Sequence, residues 1–313
     1  MSPERGETAM GPGGEFDLVR AMLARWGDAA HGVGDDAAVL DVPAGERLVV
    51  STDATVEHVH FRREWMTPAE IGYRATAAAL SDLAAMAARP LGLVVALALP
   101  REWVADVGAL AEGIGEAARE CGCPIVGGNL SRASELSITT TVFGSGRRLL
   151  SRDGARPGDR VYVTGSLGGP LLALAALERG EAVTGLARAR LVRPDPRIGE
   201  ARWLAEHGAT AAVDVSDGLL ADLAHIAAAS GARLAVSLDA IPTMPGVAPE
   251  EAARSGEEYE LALTGRIDAH AFRERWGIPL TEIGSVLEGS PGVEATLGGR
   301  RVASPRGHDH FSG

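Results

Sequence analysis

The chain is short of cysteine and of aromatic residues, and each shortage excludes a class of protein. Only Cys121 and Cys123 are present, and residues two apart are poorly placed for an unstrained disulfide. With no second cysteine pair or neighbouring histidine, they do not predict a zinc or redox site. Aromatic residues make up 4% of the chain, against 40 glycines. This composition favours packing of Ala, Leu and Val with many tight turns, and we expect an α/β fold.

Long apolar runs and basic patches are missing as well. The longest apolar stretch outside an Ala-rich helix is 91–100, far short of the roughly 20 residues of a membrane span. The 30 basic residues are outnumbered by 42 acidic ones, and the formal charge of −12 would repel nucleic acid. Residues 1–14 lack the regions of a signal peptide and are predicted to form a flexible tail. We expect a cytoplasmic protein that binds neither membranes nor nucleic acid.

The length of 313 residues predicts two domains, since a typical domain has about 150 residues. Residues 152–159 have the glycine and proline density of a linker. We therefore expect an N-terminal domain at 15–150 and a C-terminal domain at 151–313.

Short acidic sets recur along the chain, each beside Gly, Ser or Thr and close to an apolar run. They are Gly34-Asp35-Asp36, Ser51-Thr52-Asp53, Ser81-Asp82 and Asp214-Val215-Ser216-Asp217-Gly218. Magnesium prefers hard oxygen ligands and is usually held by one or two carboxylates plus phosphate oxygens. The sequence therefore predicts a site that holds several Mg²⁺ ions against phosphates.

Predicted strands and helices place these sets. Residues 46–52 read as a strand that ends at Asp53, and 211–215 as a strand that leads into a helix at 218–229. Thr67, Pro68 and Glu70 have the pattern of a capping box with proline at the first helical position, and they begin a helix that is expected to run to about Arg89. Asp82 is its one charged residue between 75 and 88, so we expect it to meet a cation or several donors.

Each acidic set also has a simpler interpretation. Asp35 and Asp36 could form an Asx turn, and Asp82 could face solvent. Ser216 or Asp217 could cap the following helix. The acids of 255–261 could line a solvated strand edge.

Two further segments carry polar or glycine-rich patterns. His58 and His60 would share a strand face as zinc ligands, but no third ligand lies nearby, which favours substrate contact or exposure. The turn at 165–169 could cradle phosphate at a helix start, but it lacks the lysine and spacing of a P-loop, which favours a simple turn. No GxSxG elbow, GxGxxG after a first strand or HExxH is present. The pattern indicates phosphate and metal chemistry without a covalent nucleophile.

Taken together and in order, the motifs resemble those of the thiamine-monophosphate kinase family, within the aminoimidazole-ribotide-synthetase-like superfamily. The motifs are GVGDDAA at 32–38, STD at 51–53 with His60-Phe61, ALSDLAAM at 79–86, VGGN at 126–129, DVSDGL at 214–219 and GEEYEL at 256–261. The resemblance covers most of the chain. It implies a two-domain PurM-like α/β (α+β) fold, with an N-terminal mixed sheet that forms a β-barrel in a homodimer and a C-terminal α/β sandwich.

The resemblance also implies a function: ATP-dependent phosphorylation of thiamine monophosphate to thiamine diphosphate by direct in-line transfer, in thiamine diphosphate biosynthesis. The acceptor is already an anionic phosphate oxygen, so no strong general base is required. By similarity the magnesium ligands would be Asp35, Ser51, Thr52, Asp53, Asp82, Asn129, Asp214 and Asp217. Gly128, Asn129, Arg152 and Ser216 would contact ATP, and His60, Glu257 and His308 would lie near the thiamine phosphate. The ligands of the two domains are expected to converge across a cleft.

The chain departs from the family pattern at three places. Asn129 stands where a carboxylate is usual, so one negative charge is lost. Glu258 replaces a usual Asp, and His308, with Phe311 close by, stands where an aromatic residue is usual.

The first departure keeps an alternative open, a relative that binds nucleotide or thiamine phosphate without catalysis. A sister ATP-dependent synthetase is a further alternative. Selenophosphate synthetase would need a reactive cysteine or selenocysteine near the N-terminus, and a hydrogenase maturation factor a C-terminal cysteine, so both are disfavoured.

Overall fold

A computed structural model describes residues 13–302. The predicted tail at 1–14 therefore falls almost entirely outside the described residues, as do His308 and Phe311. The chain divides into two compact units, Met1–Leu83 with Arg89–Arg147, and Ala84–Ala88 with Arg148–Gly313. Both units combine helices with a sheet, which confirms the α/β class. Among the described helices, none has the length and apolar character that a membrane crossing requires.

The first unit contains a four-stranded mixed sheet in the order β1-β4-β2-β3. The strands are β1 (Arg47–Val56), β2 (Arg89–Leu99), β3 (Ile125–Arg132) and β4 (Ser137–Gly146), and the helices are α1 (Gly14–Trp26), α2 (Pro68–Ala85) and α3 (Val107–Glu120). Strand β4 is antiparallel to both neighbours, whereas β2 and β3 are parallel. Ile138, Thr140 and Val142 alternate along β4 and are fully buried, so one face of the sheet is the core face.

Local sequence signals set the start and the packing of α2. The Thr67 N–H donates to the Glu70 carboxylate (2.8 Å) and the Glu70 N–H to the Thr67 hydroxyl (3.3 Å), which is the predicted capping box. Gly113 of α3 allows close helix contact, since a Cβ there would lie 1.8 Å from the Ala69 carbonyl oxygen. Tyr73, Ala77 and Ala117 form a small buried cluster between the two helices.

Three predicted boundaries in this unit are wrong. Helix α2 ends at Ala85, because Ala87 adopts a left-handed conformation (φ 53°) and strand β2 begins at Arg89. Asp53 does not end a strand, because β1 pairs with β4 through to Val56. The strand predicted at 124–126 is longer than expected, because residues 127–129 lie inside β3 and pair with β2.

The second unit contains a seven-stranded sheet in the order β11-β10-β7-β9-β5-β8-β6. The strands are β5 (Arg160–Thr164), β6 (Ala209–Asp214), β7 (Arg233–Ser237), β8 (Leu261–Gly265), β9 (Leu280–Leu287), β10 (Gly292–Leu297) and β11 (Arg300–Val302), and the helices are α4 (Gly169–Glu178), α5 (Gly185–Val192), α6 (Ile198–Glu206), α7 (Leu219–Ser230), α8 (Pro249–Ala252) and α9 (Ala269–Trp276). Leu223 and Ile226 of α7 share one buried cluster with Val161, Val213 and Leu234 of the sheet. A helix layer on a sheet is thus the core of this unit.

Candidate functional site

Strand register brings three of the sequence motifs to one edge of the second sheet. Val163, near the end of β5, pairs with Ala262, and Asp214, the last residue of β6, pairs with Leu261 at the start of β8. Three segments therefore lie next to one another at the same end of the sheet: the glycine-rich turn 165–169, the acidic loop 214–218 and the segment 255–260.

Backbone hydrogen bonds tie the acidic loop to the segment 255–260. The Glu257 N–H donates to the Ser216 carbonyl oxygen (2.7 Å), and the N–H groups of Glu258 and Tyr259 donate to that of Val215 (3.0 and 2.9 Å). The Val215 N–H donates in return to the Glu260 carbonyl (2.8 Å). The structure thus places Glu257, predicted to contact substrate, beside Ser216, predicted to contact ATP.

This junction contains strained backbone. Glu257 and Tyr259 adopt φ values of 56° and 53°, a left-handed conformation that is unfavourable for residues with a side chain. Gly256 between the loops has no room for a side chain, since a Cβ would lie 2.7 Å from the Ser216 carbonyl oxygen. Strain that surrounding contacts maintain in this way is common at functional sites.

Asp222 organises the acidic loop, and the sequence patterns did not single it out. This α7 residue is 2% exposed, and its Oδ2 accepts the N–H groups of Ser216 (3.0 Å), Asp217 (3.1 Å) and Gly218 (3.1 Å). The predicted capping of the helix by Ser216 or Asp217 is wrong, because the N-cap position is Gly218, which has no side chain. The only sequence signal was an acid inside an otherwise apolar helix turn.

The acidic loop concentrates negative charge. Asp214 is 5% exposed, and Asp217 is partly buried. The pKa of Asp222 is raised to about 7, mainly by burial and then by the charges of Asp214 and Asp217, against the opposing effect of the N–H groups. Ligand atoms of Asp217, Asp222 and His225 all lie within 4.8 Å of one another. Clustered carboxylate oxygens of this kind fit a hard divalent cation.

The carboxylate of Glu258 lies at the start of helix α4. Its Oε1 accepts the Gly168 N–H (2.5 Å) and the Ser255 hydroxyl, and the residue is 2% exposed. An internal carboxylate therefore takes an N–H at the glycine-rich turn that could otherwise face a phosphate, which agrees with the simple-turn interpretation.

Glu260 is fully buried in an ionic network. Its carboxylate accepts hydrogen bonds from Arg190 (2.5 Å), Arg197 (2.6 and 2.8 Å) and the Thr164 hydroxyl (2.6 Å). Burial alone would raise the pKa of Glu260. The charges and hydrogen bonds of the two arginines outweigh this effect, and the pKa falls to about 2. The interpretation that the acids of this segment line a solvated strand edge is therefore wrong for Glu258 and Glu260.

The first unit brings together some of the predicted ligands. The Ser51 hydroxyl donates to Asp82 Oδ2 (2.5 Å), which is one donor where a cation or several donors were predicted. Asp53 lies two residues further along β1 and on the same face, by the alternation of strand residues. Thr52 points to the other face, where its hydroxyl bonds that of Thr141 (2.9 Å).

Asn129 lies away from these residues. Register aligns it with Ala96, Thr139 and Ala54, whereas Asp53 aligns with the fully buried Thr140. Asn129 is therefore on the more exposed face and on the opposite edge strand, roughly 14 Å from β1 across three strand spacings. Its neighbour Gly128 packs tightly, since a Cβ would lie 2.2 Å from the Val95 carbonyl oxygen.

The remaining predicted residues lie in turns or on the surface. Asp35 is exposed in a turn after Gly34 (φ 129°), and the apolar residues after Asp36, which predict a strand, form no regular strand within 36–46. Arg152 is exposed. Nδ1 of His60 accepts the Val56 N–H (3.1 Å), so Nε2 carries the proton of the neutral ring. A shared strand face for His58 and His60 is wrong, because β1 ends at Val56 and His58 is left-handed (φ 66°).

Comparison with known proteins assigns the family. Residues 34–146 match the family model "AIR synthase related protein, N-terminal domain", and residues 156–295 match the corresponding C-terminal domain. Thiamine-monophosphate kinase of Salmonella typhimurium is 35% identical over 319 aligned residues, covering 95% of this chain and 96% of that protein.

Solved structures agree with this assignment. The crystal structure of thiamine-monophosphate kinase from Stenotrophomonas maltophilia is 37% identical with a TM-score of 0.81, covering 92% of this chain and 98% of that one. A structure of AaThiL complexed with AMPPCP and TMP is 30% identical with a TM-score of 0.77, covering 95% and 97%. By identity and coverage, the chain belongs to the thiamine-monophosphate kinase family.

Proposed function

We propose that this protein catalyses the ATP-dependent phosphorylation of thiamine monophosphate to thiamine diphosphate. The observation that carries the proposal is the junction of the acidic loop 214–218 with the segment around Glu257, in a chain of this family. A relative was solved with AMPPCP, an ATP analogue, and with TMP, which for such an enzyme denotes thiamine monophosphate.

Magnesium is the metal that this donor set fits, because the candidate ligands are carboxylate, hydroxyl and amide oxygens. The residues that would hold several such ions are Asp35, Ser51, Thr52, Asp53, Asp82, Asn129, Asp214 and Asp217. Within one chain, Asn129 lies too far from Asp53 to share an ion with it. Thr52 would use its carbonyl oxygen, since its side chain bonds Thr141. Bound magnesium supplies positive charge against the phosphates of donor and acceptor. Convergence of the two ligand sets stays a prediction.

The other residues would bind and orient the substrates. Gly128, Asn129, Arg152 and Ser216 would contact ATP, with the Arg152 guanidinium as a cation for phosphate. His60 would donate from Nε2 to the thiamine phosphate, because Nδ1 is held by the Val56 N–H. Glu257 and His308 would lie near the same substrate. The acceptor oxygen is already anionic, so in-line transfer needs alignment and charge neutralisation rather than a base.

An assay of ADP formation tests the proposal. We expect ADP release from ATP and Mg²⁺ to depend on thiamine monophosphate, and thiamine diphosphate to appear in equal amount. Asp217→Asn should lower the rate by at least about 100-fold, since an interaction with transferring phosphates is worth several kcal/mol. Glu288→Gln, a charge change at an exposed residue of the same unit, is the matched control.

Asn129 supports a second candidate, a protein that binds the same ligands without turnover. Retained binding of ATP and thiamine monophosphate with no ADP formation would favour it. Asn129→Asp distinguishes the two: a rise in rate of about tenfold or more identifies the lost charge as the cause of weak activity.

A homodimer belongs to the same proposal. Leu48 and Val50 are 52% and 53% exposed on one face of β1, which is an edge strand of its sheet. Exposed apolar side chains on an edge strand favour cover by another chain, and a second copy fits the family resemblance. A cytoplasmic location stays a prediction.

A further inference from the structure

The three N–H groups at the start of α7 converge on one oxygen atom. Oδ2 of Asp222 accepts from three consecutive residues, Ser216, Asp217 and Gly218, at 3.0–3.1 Å. Successive N–H groups that point into one concavity form an anion-binding nest. Here the anion is internal, so the loop has a fixed shape before any ligand arrives.

Holding the three N–H groups with a buried carboxylate carries a high cost in free energy. Burial penalises a charged group, and Asp214 and Asp217 add repulsion. A serine or threonine at the N-cap would satisfy an N–H group at a lower desolvation cost. The arrangement therefore calls for an explanation beyond helix stability.

The hydrogen bonds show what Asp222 controls. It fixes the N–H of Asp217, whose side chain is a candidate metal ligand. It also fixes the N–H of Ser216, whose carbonyl oxygen accepts the Glu257 N–H at 2.7 Å. One buried carboxylate thus sets the backbone on both sides of the junction.

We propose that Asp222 is a positioning residue that holds Asp217 in the orientation required for divalent-cation binding. The proposal rests on the proposed function for the identity of the site. Asp222 acts through the loop backbone and needs an acceptor oxygen at one place rather than a negative charge.

Two variants separate geometry from charge. Asp222→Asn keeps an acceptor oxygen in place without the charge, whereas Asp222→Glu keeps the charge but moves the oxygen by one methylene. Binding of Mn²⁺ alone, followed by electron paramagnetic resonance without nucleotide, should weaken at least tenfold in D222E and less than threefold in D222N. In steady-state assays, the Mg²⁺ concentration for half-maximal rate should rise in D222E while KM for thiamine monophosphate changes less.

Asp159→Asn is the matched control. Asp159 is also a buried acceptor in this unit, with the Arg156 N–H (3.0 Å) and Thr210 hydroxyl (2.8 Å) as donors, and it lies outside the acidic loop. It should leave Mn²⁺ binding unchanged.

Unchanged Mn²⁺ affinity in D222E overturns the proposal. So does a loss in D222N as large as in D222E, which would make Asp222 a direct ligand with Asp217 and His225. Mn²⁺ binding needs no turnover. If the wild-type protein is inactive but D222E still binds Mn²⁺ more weakly than it does, the proposed function is contradicted and the role of Asp222 is not.

Discussion

Glu258 and Glu260 lie two residues apart in one buried segment, yet their pKa values move in opposite directions. Burial raises the pKa of each. For Glu260 two arginines reverse the effect, and the pKa falls to about 2. For Glu258 a hydroxyl and one N–H do not, and the pKa rises to about 7. Oε2 of Glu258 is buried without a hydrogen-bond partner among the described residues. The number of cationic donors decides which acid is ionised.

Glu258 should make stability depend on pH. Its folded pKa of about 7 exceeds the ordinary value of 4.5, so between these values the folded state holds a proton that the unfolded state has lost. The free energy of unfolding should then fall as pH rises from about 4.5 to 7, by up to about 3 kcal/mol. Glu258→Gln keeps an acceptor for Gly168 and Ser255 but has no such proton. Urea unfolding at several pH values should show a shallower fall in this variant, while Asp222, whose folded pKa is also raised to about 7, keeps its own contribution.

The exposed Glu288→Gln serves as control for this prediction and should keep the wild-type pH dependence. An equally steep fall in E258Q would show that Glu258 is ionised in the folded protein.

Element positions were largely predictable, and their exceptions have local causes. The apolar run at 160–164 predicts a strand and forms β5, and the capping box of α2 follows its sequence signal directly. The end of α2 was not predictable from the sequence, because Ala87 adopts a left-handed conformation where glycine is usual. The strand predicted at 124–126 continues through 127–129, because parallel pairing with β2 overrides the low strand propensity of glycine.

The candidate site was predictable by residue type but not by orientation. Acids beside glycine and serine marked loops that the structure brings to one end of the second sheet, yet the opposite faces of Thr52 and Asp53 follow from the pairing of β1 with β4. The bond from Asp222 back to the loop depends on a helix turn that places its carboxylate over the preceding N–H groups, and no motif records this.

Contact between α2 and α3 depends on glycine. Gly113→Ala should destabilise the first unit by at least about 2 kcal/mol, because a Cβ would overlap the Ala69 carbonyl oxygen at 1.8 Å and the two helices would have to separate. Gly108→Ala is the matched control on the same helix, where the nearest atom, Arg25 Nε, is 3.8 Å away. It should be neutral or slightly stabilising. Thermal unfolding of both variants checks this, and equal effects would contradict it.

For the whole molecule, the exposed apolar face of β1 is the feature that bears on assembly. A charge at this face should prevent a second copy from covering it. We expect Leu48→Glu with Val50→Glu to convert a dimer into a monomer in sedimentation velocity at micromolar concentration. Leu186→Glu, at a 58% exposed leucine of α5, should leave the dimer intact. A monomeric wild-type protein, or a double variant that stays dimeric, would contradict the proposal.

The backbone bonds between the acidic loop and the segment 257–260 have a consequence for the thermodynamics of binding. Ordering one backbone residue costs roughly 1–2 kcal/mol of conformational entropy. In a loop that is mobile before binding, the ligand must supply this free energy and loses affinity accordingly. Here Val215, Glu257, Glu258 and Tyr259 are already fixed by their mutual hydrogen bonds. The conformational entropy of these residues is therefore lost when the protein folds and not when the ligand binds. More of the ligand's interaction energy then remains as affinity.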